Sequence, residues 1–285
     1  MDSLNVCAVC MHSEPGRIDD NLEKIRSFCS KAHIENVHVI CFPELSVTGY
    51  VLEEPLEITR DFPLSYILKS LQDIASEFGL TIIAGLVEPN PHKPYITQVI
   101  VGKDRIIGKH RKTHLSPIEK AYQAGDRIEL YKIGNFLCGI QLCYETHFPE
   151  LSTIMAIMGA EIIFCPYASP RGKPKEKLES WLRYLTARAF DNSLFLVACN
   201  QVGKTRNFSF PGVALVIDPL GKVRASFLTE KEDMLIFSIK REEIEKVRSH
   251  RMKYFLPFRR PELYTTLLKK RKGIPLPSGM PSFTE

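Results

Sequence analysis

The chain has 285 residues, a formal net charge of +5, 44% hydrophobic and 25% charged residues. These values exclude a disordered or fibrous chain and leave room for one large α/β domain or two small ones. The positive charge is spread out; the one basic run, Lys269-Lys-Arg-Lys272, reads as a solvated tail, and no zinc-finger spacing, RNA-binding Gly-aromatic motif or heptad points to nucleic acid.

The eight cysteines do not form a disulfide framework. Cys7, Cys10, Cys41, Cys138, Cys165 and Cys199 lie in apolar strand-like runs, and Cys29 on the apolar side of a helix, where free cysteines pack as small hydrophobes. Cys7-Ala-Val-Cys10 has redox spacing but sits inside a strand, and no second C-x-x-C or His pair supports zinc. No apolar run reaches membrane length and no signal-like segment opens the chain. The expectation is a reducing, cytoplasmic setting without membrane contact.

In chain order, 5–11 reads as a strand. A helix follows Asp19 and Asp20, with Leu22, Ile25, Cys29 and Ala32 on one face. A buried strand over 37–42 runs into a loop bracketed by Pro43 and Gly49, with Glu44 at its start. Glu44 either points into a cleft or merely caps the loop; its apolar neighbours argue against simple exposure. An amphipathic helix over 62–79 carries Ile67, Leu71, Ile74, Ala75 and Phe78 in one stripe and stops at Gly79. A continuous apolar strand over 80–87 is expected to be covered on both faces. Segments 95–101 and 105–108 read as a hairpin. A basic stretch, Lys109 to Leu115, leads into a long irregular connection through Glu119 to Asp126, and such connections in compact domains are often functional.

Segments 128–133 and 136–142 form a second strand pair, turned at Gly134-Asn135, and Cys143 follows at its end. The next helix, 148–158, is expected to turn Phe148, Leu151, Ile154, Met155 and Met158 inward. After a strand over 161–165, a helix over 175–190 keeps Leu178, Trp181, Leu182, Leu185 and Ala189 in register. Strands over 194–200, 213–217, 223–227 and 234–239, a turn at Asp218-Pro-Leu-Gly221 and a short helix over 242–249 complete the pattern. Alternating strands and helices with intercalated hairpins fit an α-β-β-α sandwich of mixed sheets in one domain better than a doubly wound parallel sheet.

Three polar groups, Glu44, Lys112 and Cys143, each stand at the end of a buried strand and enter a loop. A thiol nucleophile needs a base for its proton and a cation or N–H donors for the oxyanion; Glu, Lys and Cys supply that set without histidine. Cys143 by itself reads equally well as a core thiol.

The chain resembles the nitrilase (carbon–nitrogen hydrolase) superfamily over essentially its whole length. The matching segments are FPELSVTGY (42–50), GKHRKTHL (108–115), EKAYQAGD (119–126), GIQLCYETHFPEL (139–151), GAEIIFCPYASP (159–170), ARAFDN (187–192), ACNQVG (198–203), IDPLGKV (217–223) and RRPELY (259–264). The resemblance implies a four-layer sandwich spanning 1–285, with 251–285 as a C-terminal extension over the surface or across a subunit interface. It implies Glu44 as general base, Cys143 as nucleophile, Lys112 with the Tyr144 N–H as oxyanion stabilisers, and Glu119 as a second glutamate beside the lysine.

The activity implied is hydrolysis of a small amide or N-carbamoyl amine through a thioester, without metal or organic cofactor. The alternatives are a nitrilase or a catalytically silent binding protein. Tyr50, Tyr144, His147, Tyr167 and Ala168 are the expected pocket wall. His147 stands where many members have Arg, which weakens the expectation of an acidic substrate. Glu145 in place of the more frequent Asp, Ala214 and Met11 read as packing variation. Family members commonly dimerise through the two helices after the nucleophile, so a homodimer or higher homo-oligomer using 148–158 and 175–190 is expected, with Trp181, Arg183 and Tyr184 as interface candidates that read equally well as ordinary core or surface.

Overall fold

The structure, a computed structural model, describes residues 2–268. The first half runs β1 (Ser3–Cys10), α1 (Ile18–Ile34), β2 (Val39–Cys41), α2 (Leu64–Phe78), β3 (Thr81–Glu88), β4 (Tyr95–Val101) and β5 (Ile106–Arg111). The second runs β6 (Tyr131–Ile133), β7 (Phe136–Ile140), α3 (Pro149–Ile157), β8 (Ile162–Tyr167), α4 (Pro174–Asn192) and β9 (Phe195–Asn200). It continues through the short β10 (Gly203–Lys204) and β11 (Ser209–Phe210) to β12 (Gly212–Ile217), β13 (Val223–Thr229), β14 (Asp233–Lys240), α5 (Arg241–Arg248) and α6 (Pro261–Leu268).

Two six-stranded sheets result, ordered β14-β1-β2-β3-β4-β5 and β13-β12-β9-β8-β7-β6, with the β10-β11 pair apart. Each is mixed. β1, β2 and β3 are parallel, as are β7, β8 and β9, and the flanking strands are antiparallel. The hairpins read from sequence are these antiparallel additions to two parallel centres. One apolar cluster, with Val6, Val39, Ile83, Ile100, Ile140, Phe164, Val197 and Val216, fills the space between the sheets. A second packs α1 and α2 on the outer face of the first sheet, and a third packs α3 and α4 on the second. Strands covered on both faces are near-continuous apolar runs, as the fully buried β12 and, up to its terminal Asn200, β9 show. The architecture is thus the expected α-β-β-α sandwich.

Local chemistry fixes the helix limits. Pro63 precedes α2, and Gly79 ends it at φ 66° with its N–H on the Ala75 carbonyl. Prolines occupy the first turns of α3 and α4, where the missing N–H is no loss. The inward face of α3 departs from the expectation. Leu151 and Met155 are buried with Ser152 and Ala156, whereas Ile154 and Met158 are exposed, as is Ile157. The helix is apolar on nearly every side, so periodicity could not choose its face. That face packs on the apolar cluster of the second sheet, where Gly139 of β7 leaves room for Met155, since a Cβ there would lie 2.6 Å from the Met155 sulfur.

Trp181 is a core residue of the protomer, 1% exposed and stacked on Tyr167 with ring centroids 4.1 Å apart, and so does not belong to a protomer surface. The other seven cysteines besides Cys143 are buried, and all eight are free thiols. Among the described residues no helix is long and apolar enough to cross a membrane. After α5, Phe255 meets Phe190 of α4 and the Ser193 hydroxyl donates to the Lys253 carbonyl. The basic run at 269–272 lies outside the described residues.

Candidate active site

The sheet architecture brings together the ends of strands from both layers. Glu44 lies three residues past β2, Lys112 directly past β5, Cys143 three past β7 and Ala168 directly past β8. Carboxyl ends of parallel strands are where open α/β sheets gather reactive groups.

Glu44 is fully buried, and its loop is held by groups from both sheets. Gln98 Nε2 of β4 donates to the Phe42 carbonyl, and Gln201 Nε2 donates to the Glu44 carbonyl, both at 3.0 Å. Gly85 of β3 donates its N–H to Ser46 Oγ and accepts from the Val47 N–H. A Cβ on Gly85 would come within 2.2 Å of the Leu45 nitrogen, so only glycine allows this approach. Leu45 itself takes a φ of 55°, which aims the preceding carboxylate inward at the expense of local strain.

Lys112 is 0% exposed, and its Nζ donates to Glu44 Oε1 and Glu119 Oε1, each at 2.7 Å. Its backbone is fixed from both sides: the N–H on the Ile96 carbonyl, the carbonyl on the Gly125 N–H. A Cβ on Gly125 would strike the Arg111 carbonyl at 2.5 Å. The second oxygen of Glu119 accepts from the Ser116 N–H at 2.7 Å, and that of Glu44 from the Ala168 N–H at 3.1 Å. The irregular 112–126 connection therefore curls back to place a second carboxylate on the lysine.

Cys143 opens a 3-10 turn, Cys143–His147, and has a φ of 42°, rare for a residue with a side chain. It is the only one of the eight cysteines that is not buried. The turn is held by Glu145, which is 0% exposed. Glu145 accepts from the N–H of Leu142, from the N–H and hydroxyl of Thr113 (each at 2.6 Å), and from His110 Nε2 at 2.9 Å. A carboxylate only accepts, so that imidazole nitrogen carries the hydrogen. One side chain thus ties the start of the Cys143 turn to the residue after Lys112. The reading of Glu145 as packing variation is corrected here: its short reach to four donors on two segments makes it a hub. Charge at this sequence position was the only available signal, and three of the four donors lie more than thirty residues away.

The electrostatics follow from burial. Desolvation pushes Glu44 up to about 7, against the pull of Lys112 and with a push from Glu119. Burial disfavours the Lys112 ammonium, but Glu44 and Glu119 more than offset it and hold its pKa well above the usual range. Burial and the Glu44 charge raise the Cys143 thiol, with Lys112 opposing. At rest the Cys143 thiol is therefore neutral, beside a Glu44 carboxyl whose own proton affinity burial has raised. Glu145 is the reverse case: burial would raise it, yet His110 and Thr113 hold it down at about 2.

Of the expected wall residues, Tyr50 is 4% exposed, meets Phe208 and Phe210 edge-on, and senses the charges of Glu119, Glu44 and Cys143. Ala168 contributes its N–H to Glu44. Tyr167 is buried under the Cys143–His147 turn, its hydroxyl 2.7 Å from Thr146 Oγ1. Tyr144 is half-buried and packs edge-on against Phe148, which meets His114. His147 is exposed at the far end of the turn, with its ring 4.5 Å from that of Tyr184. The β10-β11 hairpin, which supplies Phe208 and Phe210, was not legible as structure from the sequence. Among the described residues no group of three or more His, Cys, Asp or Glu side chains converges as a metal site would.

Comparison with known proteins gives a consistent result. The family profile described as carbon-nitrogen hydrolase matches residues 5–249. A nitrilase of Pyrococcus abyssi is 28% identical over 272 residues, covering 92% of this chain and 99% of that protein. A 2-oxoglutaramate amidase of Bacillus subtilis is 31% identical over 215 residues, covering 74% and 81%. Among solved structures, a carbon-nitrogen hydrolase from Helicobacter pylori superposes with a TM-score of 0.85 at 25% identity, covering 94% of this chain and 99% of that one.

Proposed function

This chain belongs to the carbon–nitrogen hydrolase family, and we propose that it cleaves small linear amides or N-carbamoyl amines with Cys143 as nucleophile. One observation carries the reading: a fully buried lysine bonded to two glutamates, beside the one cysteine that solvent reaches.

In the proposed reaction Glu44 takes the Cys143 proton as the sulfur attacks the amide carbon. The oxyanion that forms is held by the remaining Lys112 hydrogen, the third of an ammonium whose other two are engaged. The Tyr144 N–H joins it, since first-turn amides lack intrahelical acceptors. Glu44 then passes its proton to the leaving nitrogen, so that ammonia or amine departs and a thioester remains. A water deprotonated by Glu44 attacks the thioester, and the acid leaves as the thiol is restored. Glu119 keeps Lys112 charged and placed throughout. No cofactor enters this scheme.

The test is ammonia release from a panel of small amides and matched nitriles. Wild-type protein is expected to turn over amides faster than nitriles, and Cys143→Ala to lose on the order of 10⁴-fold or more in kcat. Undiminished amide hydrolysis by Cys143→Ala would overturn the mechanism. Preferential turnover of nitriles would favour the nitrilase alternative, which the Pyrococcus relative keeps in view.

We further propose that two copies pair through α3 and α4. The support is the exposed apolar row Ile154, Ile157 and Met158 on α3 with Phe190 on α4, a concentration of apolar surface that solvent-facing helices usually avoid.

A further inference from the structure

The Cys143 carbonyl is held by a chain of two hydroxyls. Thr146 Oγ1 donates to that carbonyl at 2.7 Å and lies 2.7 Å from the Tyr167 hydroxyl. A hydroxyl has one hydrogen to give, and a carbonyl only accepts. The Thr146 hydrogen therefore goes to Cys143, and the Tyr167 hydroxyl donates to Thr146. Thr146 is 0% and Tyr167 1% exposed, so water does not compete for either bond. Both residues are fixed in other ways too. Tyr167 stacks on Trp181 and ends β8, one residue before the Ala168 N–H that holds Glu44. The Thr146 carbonyl accepts from Arg188 Nε of α4 at 3.1 Å.

A threonine bonded to a carbonyl one turn earlier is common in helices and by itself carries no function. What sets this one apart is the carbonyl it holds. The Cys143 carbonyl and the Tyr144 N–H belong to one planar trans peptide group, so the two point in opposite directions. Holding the carbonyl oxygen on Thr146 therefore sets the direction of the Tyr144 N–H, the amide that the proposed mechanism gives to the oxyanion. The peptide follows a strained residue. Cys143 has a φ of 42°, which a residue with a Cβ keeps only where its surroundings impose it. Glu145 secures the upstream side of the turn, with bonds to Leu142, Thr113 and His110. Thr146 secures the downstream side.

We propose that Thr146 is a positioning residue of this site: its hydroxyl, oriented by Tyr167, turns the Cys143–Tyr144 peptide so that the Tyr144 N–H faces the oxyanion. Thr146 acts through that one peptide plane, because its single hydrogen is already engaged. Its effect is then felt only where charge develops on the carbonyl oxygen of the substrate. Without the hydroxyl the peptide is free to rotate and the N–H loses its aim. Glu44 and Lys112 keep their places, since other bonds hold them. Loss of Thr146 is thus expected to slow the chemical step and to leave ground-state binding and thiol reactivity largely intact.

This inference rests on the amide-hydrolase reading, and two arms keep the two separable. In the first, kcat and KM are measured on the fastest amide of the panel. Thr146→Val keeps the shape of the side chain and removes the hydroxyl. It is expected to lower kcat on the order of 10- to 100-fold, less than removal of a whole oxyanion donor, with KM within about threefold of wild type. Thr146→Ser keeps the hydroxyl and is expected to stay within about threefold in kcat. Valine at 146 leaves the Tyr167 hydroxyl buried without an acceptor, so the double variant Thr146→Val/Tyr167→Phe, which has no orphaned group, carries the test if the single variant does not fold. It should show the same fall in kcat, since Tyr167 acts through Thr146. A kcat within about twofold of wild type without the hydroxyl, or a serine variant as slow as the valine one, overturns the proposal.

The second arm needs no turnover. Butyraldehyde adds to the Cys143 thiol: a C–S bond forms, the C=O π bond opens, and the sulfhydryl proton moves to Glu44, leaving the charge on an oxygen placed as the oxyanion is. Its binding is read as protection of Cys143 from iodoacetamide, followed by mass spectrometry. Alkylation itself forms a C–S bond and expels iodide without charging a carbonyl oxygen, so its unprotected rate reports the thiol alone. Thr146→Val is expected to weaken butyraldehyde on the order of tenfold or more and to leave the alkylation rate within about threefold. Equal aldehyde affinity, no protection of the wild type, or alkylation slowed about tenfold or more overturns the proposal. Failure to release ammonia from any amide, with aldehyde binding still dependent on Thr146, refutes the hydrolase reading and leaves the positioning role standing.

Discussion

A buried glutamate works as a general base at neutral pH only when its proton affinity is raised to match. Glu44 meets that condition because burial outweighs the adjacent ammonium and puts it near 7. The rate consequence has a definite sign. The base must be ionised, so in the proposed mechanism kcat/KM falls about tenfold per unit as pH drops below about 7. The alkaline side stays level, because Lys112 is held well above its usual range and remains charged. A pH–rate profile on the best amide checks this. An acid limb near 4.5, the ordinary glutamate value, would show that Glu44 is not the group being titrated. The same residue scale explains why Cys143 could be left undecided in the sequence: seven similar cysteines are core filler, and only exposure and a positive φ set this one apart.

At the scale of elements, two segments far apart in sequence must keep register, the Lys112 end of β5 and the 3-10 turn after β7. Glu145 joins them, and its removal therefore tests positioning as distinct from packing. Glu145→Gln is expected to destabilise the fold by about 3 kcal/mol, as loss of a buried charged partner does. It should also lower kcat on the order of 100-fold with little change in KM. Glu88 is the internal control. It is likewise buried, accepts from Thr97, Lys109 and Arg111, and is held down at about 2. Glu88→Gln should lower stability and leave kcat near wild type.

Both carboxyls sit below their unfolded value of 4.5. Their contribution is complete above that pH and disappears as pH falls toward 2. The stability gap between wild type and Glu145→Gln, read by urea denaturation, should accordingly narrow from pH 7 to pH 3. A gap that widens in acid would contradict the assignment.

At the scale of the whole molecule, the two sheets are each anchored by their own helices on the outside and share one core between them. The strand ends of both sheets must then meet along one seam, where Glu44, Lys112 and Cys143 come together. The outer faces of α3 and α4 are left with Ile157 at 55% and Met158 at 46% exposed. If these faces pair two copies as proposed, sedimentation equilibrium gives a dimer of the 32.5 kDa chain. Ile157→Glu shifts it to monomer, since a charge buried at such an interface finds no partner. A wild-type monomer at high micromolar concentration would remove the proposal.

The sequence alone determined the layer architecture, because hydrophobic runs, glycine stops and proline starts are local signals that report strands and helices directly. It also singled out Glu44 and Lys112 together with Cys143, because each follows a strand and enters a loop, but it left Cys143 open as a core thiol until the three were read together. It could not choose the buried face of α3, whose apolar residues surround the helix and whose Met155 packs against Gly139 of another strand. Nor could it show that Glu145 is a four-donor hub or that Gly85 makes room for the Glu44 loop. Those properties belong to pairs of residues distant in the chain. Hydrogen bonds, close approach and desolvation act over a few ångströms of space, and only the folded chain sets those distances.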